Sequence, residues 1–243
     1  MQVKSKMVIS ALLQRTKQCF WKGWQDLDPS VRRRWFVLTG VGFAFACSLM
    51  AALSLIGQHL EQVGALSWER NALLWLEAHL PLPLSSAVWA QAPGYSHFII
   101  PLLVLAAGWS AWTYRPLQAL SVVVGYVGIK LIVQVGWTVW HRERPDDIAN
   151  GLLSPGFLNA FPSGHAAQTV FCYGLLAAFW FHASASRAER ALAVLCVVLL
   201  QFMVVAGRIR MGAHWPSDIL AGTLIGAAWL AAVLIALHRS RAS

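Results

Sequence analysis

The sequence predicts an all-α protein: a six-transmembrane-helix bundle with its N- and C-termini cytoplasmic and a site at the outer interface. Three observations carry this expectation. The chain of 243 residues is 58% hydrophobic and only 12% charged, with several uncharged runs as long as the roughly 20 residues that cross a bilayer. Its formal net charge of +9 is laid out asymmetrically, before the first run, after the last and in alternate connections, which is the positive-inside pattern. The polar stretches richest in chemistry fall in the opposite set of connections, together on the outer side.

Residues 1–34 read as a basic cytoplasmic segment, because Lys4, Lys6, Arg15, Lys17, Lys22, Arg32, Arg33 and Arg34 all precede the first span. The charged stretch and the long run after it do not fit a cleavable signal peptide. Phe20, Trp21 and Trp24 among these basic residues suit an interfacial helix over 8–28 on an anionic leaflet; a partly ordered basic tail fits equally. A six-span domain is expected over 35–237, with spans near 35–57, 96–114, 117–140, 166–183, 191–206 and 218–237. The second is the least regular, since Pro93 and Pro101 punctuate it. Before it, residues 66–80 set Trp68, Leu73, Leu76 and Leu80 at helical spacing and read as a scaffold helix along the outer interface. Arg115, Arg187 and Arg190 lie in inner connections, and Arg239 and Arg241 in a cytoplasmic tail, 238–243. No repeat or Gly/Ser linker divides the chain, so one compact domain is expected.

The basic balance alone would admit nucleic acid, but its distribution follows membrane topology, and no nucleic-acid partner is expected. Cys19 is assigned to the inner side, and Cys47, Cys172 and Cys196 fall within spans. Neither a disulfide, a metal site nor a cofactor is therefore predicted.

Two outer stretches carry the chemistry. In Pro162-Ser163-Gly164-His165, a Ser-Gly-His turn opening a helix offers an anion free backbone N–H groups and a hydroxyl. In the second stretch, Arg208 to Asp218, His214 and Asp218 are four apart, and Pro216 suits the first helical turn. One carboxylate then lies under one imidazole, where it would fix the tautomer and raise the basicity of the far ring nitrogen. Arg142, Arg144, Arg208 and Arg210 sit in these outer loops against the charge rule, and a guanidinium grips phosphate oxygens bidentately. The competing assignment for these arginines is headgroup contact or pairing with Glu143, Asp146 and Asp147.

These residues resemble the type 2 phosphatidic acid phosphatase superfamily, integral-membrane lipid phosphate phosphatases sharing a site with vanadium haloperoxidases. The family motifs read Lys-x6-Arg-Pro, Pro-Ser-Gly-His and Ser-Arg-x5-His-x3-Asp. The second is complete at 162–165; the third runs from Gly207 and Arg208 to His214 and Asp218, with glycine for the opening serine. The first keeps Arg144-Pro145, but Trp137 occupies the lysine position. The resemblance covers about 117–237. It implies His214 as the nucleophile that takes the phosphoryl group, Asp218 as its orienting carboxylate, and His165 as the acid that protonates the leaving oxygen and later activates water. It also implies that Arg144, Arg208, Ser163 and the Gly164 amide hold the phosphate oxygens without a metal. Losing one such contact at Trp137 would cost on the order of 3 kcal/mol of transition-state stabilisation, and Arg142 or Arg210 is the expected replacement. Lys130, one heptad before Trp137, is expected to pair inside the bundle.

The function so implied is a lipid phosphate or pyrophosphate phosphatase, an integral protein of a bacterial inner membrane with its site facing the periplasm. Undecaprenyl pyrophosphate, phosphatidylglycerol phosphate, phosphatidate and phosphorylated lipid A all fit motifs that read only phosphate. Transfer of the phosphoryl group to a lipid acceptor, or a non-catalytic lipid-binding or transport role, are the alternatives. Nothing in the sequence fixes an oligomeric state.

Overall fold

The computed structural model describes residues 2–80, 82–145 and 159–241, with side chains from residue 10 to residue 240. Asp146 and Asp147 lie outside the described residues. Every regular element among the described residues is helical: α1 (Gln2–Gln25), α2 (Pro29–Gln62), α3 (Trp68–His79), α4 (Leu84–Ala90), α5 (Ser96–Trp112), α6 (Pro116–Val139), α7 (Gly164–Ala183), α8 (Arg187–Arg210) and α9 (Pro216–Arg241). Six stretches are long and apolar enough to cross a membrane: α2, α4 with α5, α6, α7, α8 and α9. The protein is an integral membrane protein of six spans.

The helix starts follow local chemistry. Asp28 caps α2 by accepting the Ser30 N–H at 2.7 Å, with Pro29 in the first turn. Pro116 and Pro216 open α6 and α9, where a missing N–H costs nothing. Ser186 caps α8 through the Glu189 N–H.

Several bounds differ from expectation. With 34 residues, α2 is about 50 Å long, well beyond a hydrocarbon core of about 30 Å. It therefore takes in Arg32, Arg33 and Arg34, whose charges stand at the polar end. The other end extends past Glu61. Likewise α9 continues through Arg239, and the Arg34 guanidinium donates to the Arg239 carbonyl at 3.1 Å, joining the two helix ends. The second span is composite: α4, a single tight turn at Ala92–Gly94, and α5 carrying Pro101 inside it.

At the end of the bundle away from the motifs α1 packs on α5 and α6, burying Cys19 and setting Arg15 over the Trp112 ring at 4.5 Å. The core lies among α2, α6, α7 and α9, around Trp35, Ile129, Phe171 and Trp229. Its two indoles bond inside: Trp35 Nε1 to Ser121 Oγ at 3.1 Å and Trp229 Nε1 to the Gly125 carbonyl at 2.8 Å. Small residues bring α9 against α7 at backbone distance. A Cβ on Gly222 would stand 2.4 Å from the Ser163 carbonyl oxygen, and one on Gly226 2.5 Å from that of Ala167. The motif turn at the head of α7 is thus seated directly on α9.

Candidate active site

Three helix ends meet at one end of the bundle: the start of α7, the end of α8 and the start of α9. Ser163 is fully buried and caps α7 by accepting the Ala166 N–H at 3.4 Å. Its own N–H donates to the Asp218 carbonyl at 2.9 Å, which ties the Pro162–His165 turn to the first turn of α9. Gly164 begins α7, and His165 follows with its ring edge-on to Tyr95 at 4.7 Å. The His165 Nε2 is buried and has no hydrogen-bond partner.

His214 stands at the centre, 2% exposed. Its Nδ1 lies 2.8 Å from the Ala160 carbonyl and its Nε2 lies 3.1 Å from Arg208 Nη2. A guanidinium only donates and a carbonyl only accepts. The proton therefore sits on Nδ1, and the Nε2 lone pair points at Arg208. Burial, together with the neighbouring charges of Arg208 and Arg144, holds the imidazole well below its usual pKa. The ring is neutral at physiological pH, with Nε2 left as its unprotonated nitrogen.

The expected stacking of carboxylate under imidazole takes a different form. The Asp218 Oδ2 is 3.6 Å from Nδ1, too long for a hydrogen bond. It accepts instead the Trp215 N–H at 2.8 Å, while Oδ1 takes Arg142 Nη1 at 2.6 Å. The Ala160 carbonyl fixes the tautomer, and Asp218 contributes a negative charge beside the ring.

Arg142 also corrects an expectation. Its guanidinium, 3% exposed, is committed to protein: Nε to Glu61 at 3.2 Å, Nη1 to Asp218 and to Ser217 Oγ at 2.8 Å, and Nη2 to Glu69 at 2.5 Å. It stacks over Trp140 and Trp215 at 4.7 and 5.4 Å. Burial alone would lower its pKa, but Asp218 and Glu69 outweigh that and raise it. Arg142 braces the site from behind and has no fork left for phosphate. Arg210 is held partly by protein: its Nε donates to the Leu82 carbonyl at 2.9 Å, and its buried Nη1, 4.0 Å from Glu77, has no hydrogen-bond partner. Arg142, committed to its protein partners, is not placed to replace the absent lysine. Trp137 at that position gives its indole N–H to the Pro162 carbonyl at 3.2 Å and so supports the motif turn.

The remaining arginines come together at His214. Arg208 is buried, with Nη1 on Gln91 Oε1 at 2.7 Å, Nη2 at His214, and an Nε–H lacking any partner. Arg144 is half-buried and close enough to bear on the charge of His214; burial pushes its own pKa down. Partnerless buried donors are uncommon in proteins, so an anion arriving at Arg208 would relieve a real cost. Among the described residues, no three His, Cys, Asp or Glu side chains are grouped to hold a metal ion.

Four contributors are not evident from sequence: Glu69, Glu61, Gln91 and the Ala160 carbonyl. Only Glu69 leaves a signal. It lies four before Leu73, on the face that α3 buries, and an acid on a buried stripe is unusual.

A sequence profile of the PAP2 superfamily matches residues 118–242. The chain belongs to the PAP2 superfamily. The PAP2 match covers α6 to α9 and contains every motif residue named above. Among solved structures, the chain is similar to one described as the first transmembrane PAP2 type phosphatidylglycerolphosphate phosphatase from Bacillus subtilis. The TM-score is 0.60 at 20% identity, covering 82% of this chain and 96% of that one. At that identity the likeness speaks for the shared PAP2 fold. No curated protein matches the sequence.

Proposed function

We propose that this PAP2 protein is a lipid phosphate phosphatase that works through a phosphohistidine at the outer face of a bacterial inner membrane. The observation that carries the reading is His214 itself: neutral, its proton held on Nδ1 by the Ala160 carbonyl, its Nε2 facing Arg208. Such an imidazole is a ready nucleophile beside a phosphate ligand. His214 Nε2 attacks phosphorus, the N–P bond forms, and the P–O bond to the lipid breaks. His165 gives a proton to the leaving oxygen. Water, deprotonated by His165, then cleaves the N–P bond and releases inorganic phosphate. Arg208, Arg144, the Ser163 hydroxyl and the Gly164 N–H hold the phosphoryl oxygens as charge spreads over them.

The basic residues Arg32, Arg115, Arg187, Arg190 and Arg239 gather at the end of the bundle opposite the motifs, which supports a cytoplasmic inner end and a periplasmic site. The solved relative is described as a phosphatidylglycerolphosphate phosphatase, which supports a lipid phosphate as substrate. Purified protein given a lipid carrying labelled phosphate should release inorganic phosphate. A short quench should trap label that is acid-labile and alkali-stable. His214→Ala should remove both signals, by at least about 100-fold in turnover. Full turnover by that variant would exclude the phosphohistidine, and label found in a second lipid would replace hydrolysis by transfer.

A further inference from the structure

Below the site, on its membrane side, a groove of about 230 Å³ opens between α6 and α7. Its walls include Lys130, Val133, Gln134, Trp137, Gly164 and Gln168, so one residue, Gly164, borders both this groove and the phosphate-binding turn. Lys130 is exposed to the groove within a membrane span, where a charge needs a reason. The expected internal pairing is weak. The Lys130 ammonium donates to Gln168 Oε1 at 3.3 Å and to Ser96 Oγ at 3.4 Å, and no carboxylate among the described residues pairs with it. Gln168 is in turn anchored by its amide nitrogen on the Gly94 carbonyl. An ammonium has three donors, and the two contacts are long, leaving capacity directed at whatever fills the groove.

The depth of that ammonium is informative. Gln168 lies three residues after His165 on α7, which sets the Lys130 contact about one turn, or roughly 5 Å, further into the membrane than the leaving-group acid. A substrate bound with its phosphorus at His214 and its leaving oxygen at His165 would run its next few bonds past Lys130. In a diacylglycerol phosphate those bonds carry the two ester carbonyls. In a prenyl phosphate they are bare hydrocarbon, against which a desolvated ammonium would be unfavourable. The second phosphate of a pyrophosphate is bonded to the leaving oxygen itself and would stay at the level of His165.

We propose that Lys130, held by Gln168 and Ser96, is an acyl-ester subsite that selects glycerophospholipid monophosphates over prenyl phosphates. This rests on the phosphatase reading above and names its substrate class. Trp137 fits the same arrangement: the motif lysine gives way to an indole that walls the groove, and the nearest intramembrane cation reads the lipid below the phosphate.

The experiment compares dioctanoyl phosphatidate with its diether analogue, which lacks only the two carbonyl oxygens, in wild-type protein and in Lys130→Met. Wild type should favour the ester by about tenfold in kcat/KM, the effect of one hydrogen bond from a charged donor. Lys130→Met should bring that ratio close to one, and Lys130→Arg should restore part of it. An ester-to-ether ratio of one in wild type overturns the subsite without need of any variant. A ratio unchanged in Lys130→Met, with both substrates slowed alike, overturns it in favour of a contact on the transferred phosphoryl group or a packing role. A greater loss on farnesyl pyrophosphate than on phosphatidate overturns it in favour of the leaving phosphate. Binding of the ester and ether phosphonates, which no phosphatase turns over, is measured in parallel. A Lys130-dependent ester preference in binding, without turnover of any phosphate, would refute the phosphatase and uphold the subsite.

Discussion

Replacing Arg142 by methionine removes the one cation that joins Glu69 and Asp218, which are 1% and 0% exposed. Glu61, the third partner, is 48% exposed and can return to water. Stranding one buried partner of an ion pair costs about 3–5 kcal/mol. Two are stranded here, yet the cost does not double, because a buried carboxylate escapes its charge by taking up a proton. A loss of about 4 kcal/mol follows, a large part of the 5–15 kcal/mol that holds a typical domain together. Unfolding in detergent, followed by temperature or denaturant, measures it. Lowering the pH neutralises carboxylates, so the gap to wild type should narrow in acid. Adding Glu69→Gln should recover part of the loss, since a neutral amide replaces one stranded charge. Turnover assayed below the melting temperature should fall mainly in kcat, as Asp218 loses its anchor. A variant as stable as wild type but raised in KM would refute the reasoning and return Arg142 to the substrate.

Two further expectations follow from the same geometry. The buried His214 has its pKa depressed, so the unfolded chain binds the extra proton first. Its contribution to stability is complete above the unfolded value of about 6.5 and is lost as the pH falls below it, at up to about 1.4 kcal/mol per pH unit. His214→Gln should flatten the acid limb of a stability-against-pH curve by one proton's worth, and an unchanged limb would contradict a neutral buried imidazole. Gly222→Ala should gain helix propensity yet lose about 1–3 kcal/mol overall, because its Cβ meets the Ser163 carbonyl at 2.4 Å. The displaced turn should also lower kcat, and a variant faster or more stable than wild type would show that α7 yields freely there.

The parts legible in the sequence are the local ones. Six apolar runs, Pro216 in a first helical turn, and the Ser163–His165 turn opening α7 are all decided within a few residues, and all stand in the structure. What the sequence hides is decided by distant pieces of chain meeting. An arginine fork suits carboxylate and phosphate equally, so residue type alone assigns Arg142 to phosphate, whereas α3 brings Glu69 to it across 73 positions. Gln91 reaches Arg208 across 117. The partner that fixes the His214 tautomer is a backbone carbonyl, which has no signature in any sequence. Helical spacing rightly brings Asp218 near the ring, but periodicity cannot say that Arg142 and the Trp215 N–H claim its oxygens first.

The seating of α7 on α9 has a mechanical meaning. Gly222 and Gly226 let the two backbones touch, and the Ser163 N–H is fastened to the Asp218 carbonyl, so the two motif stretches ride on one stiff strut. The groove lies on the opposite flank of α7, against α6. When a bilayer thins, thickens or curves, helices adjust their tilt at modest cost. That adjustment is easier where side chains separate the helices, as they do at the groove between α6 and α7. On the proposed reading, membrane state would then bear on how fast substrate is admitted, while the contact between α7 and α9 keeps its shape.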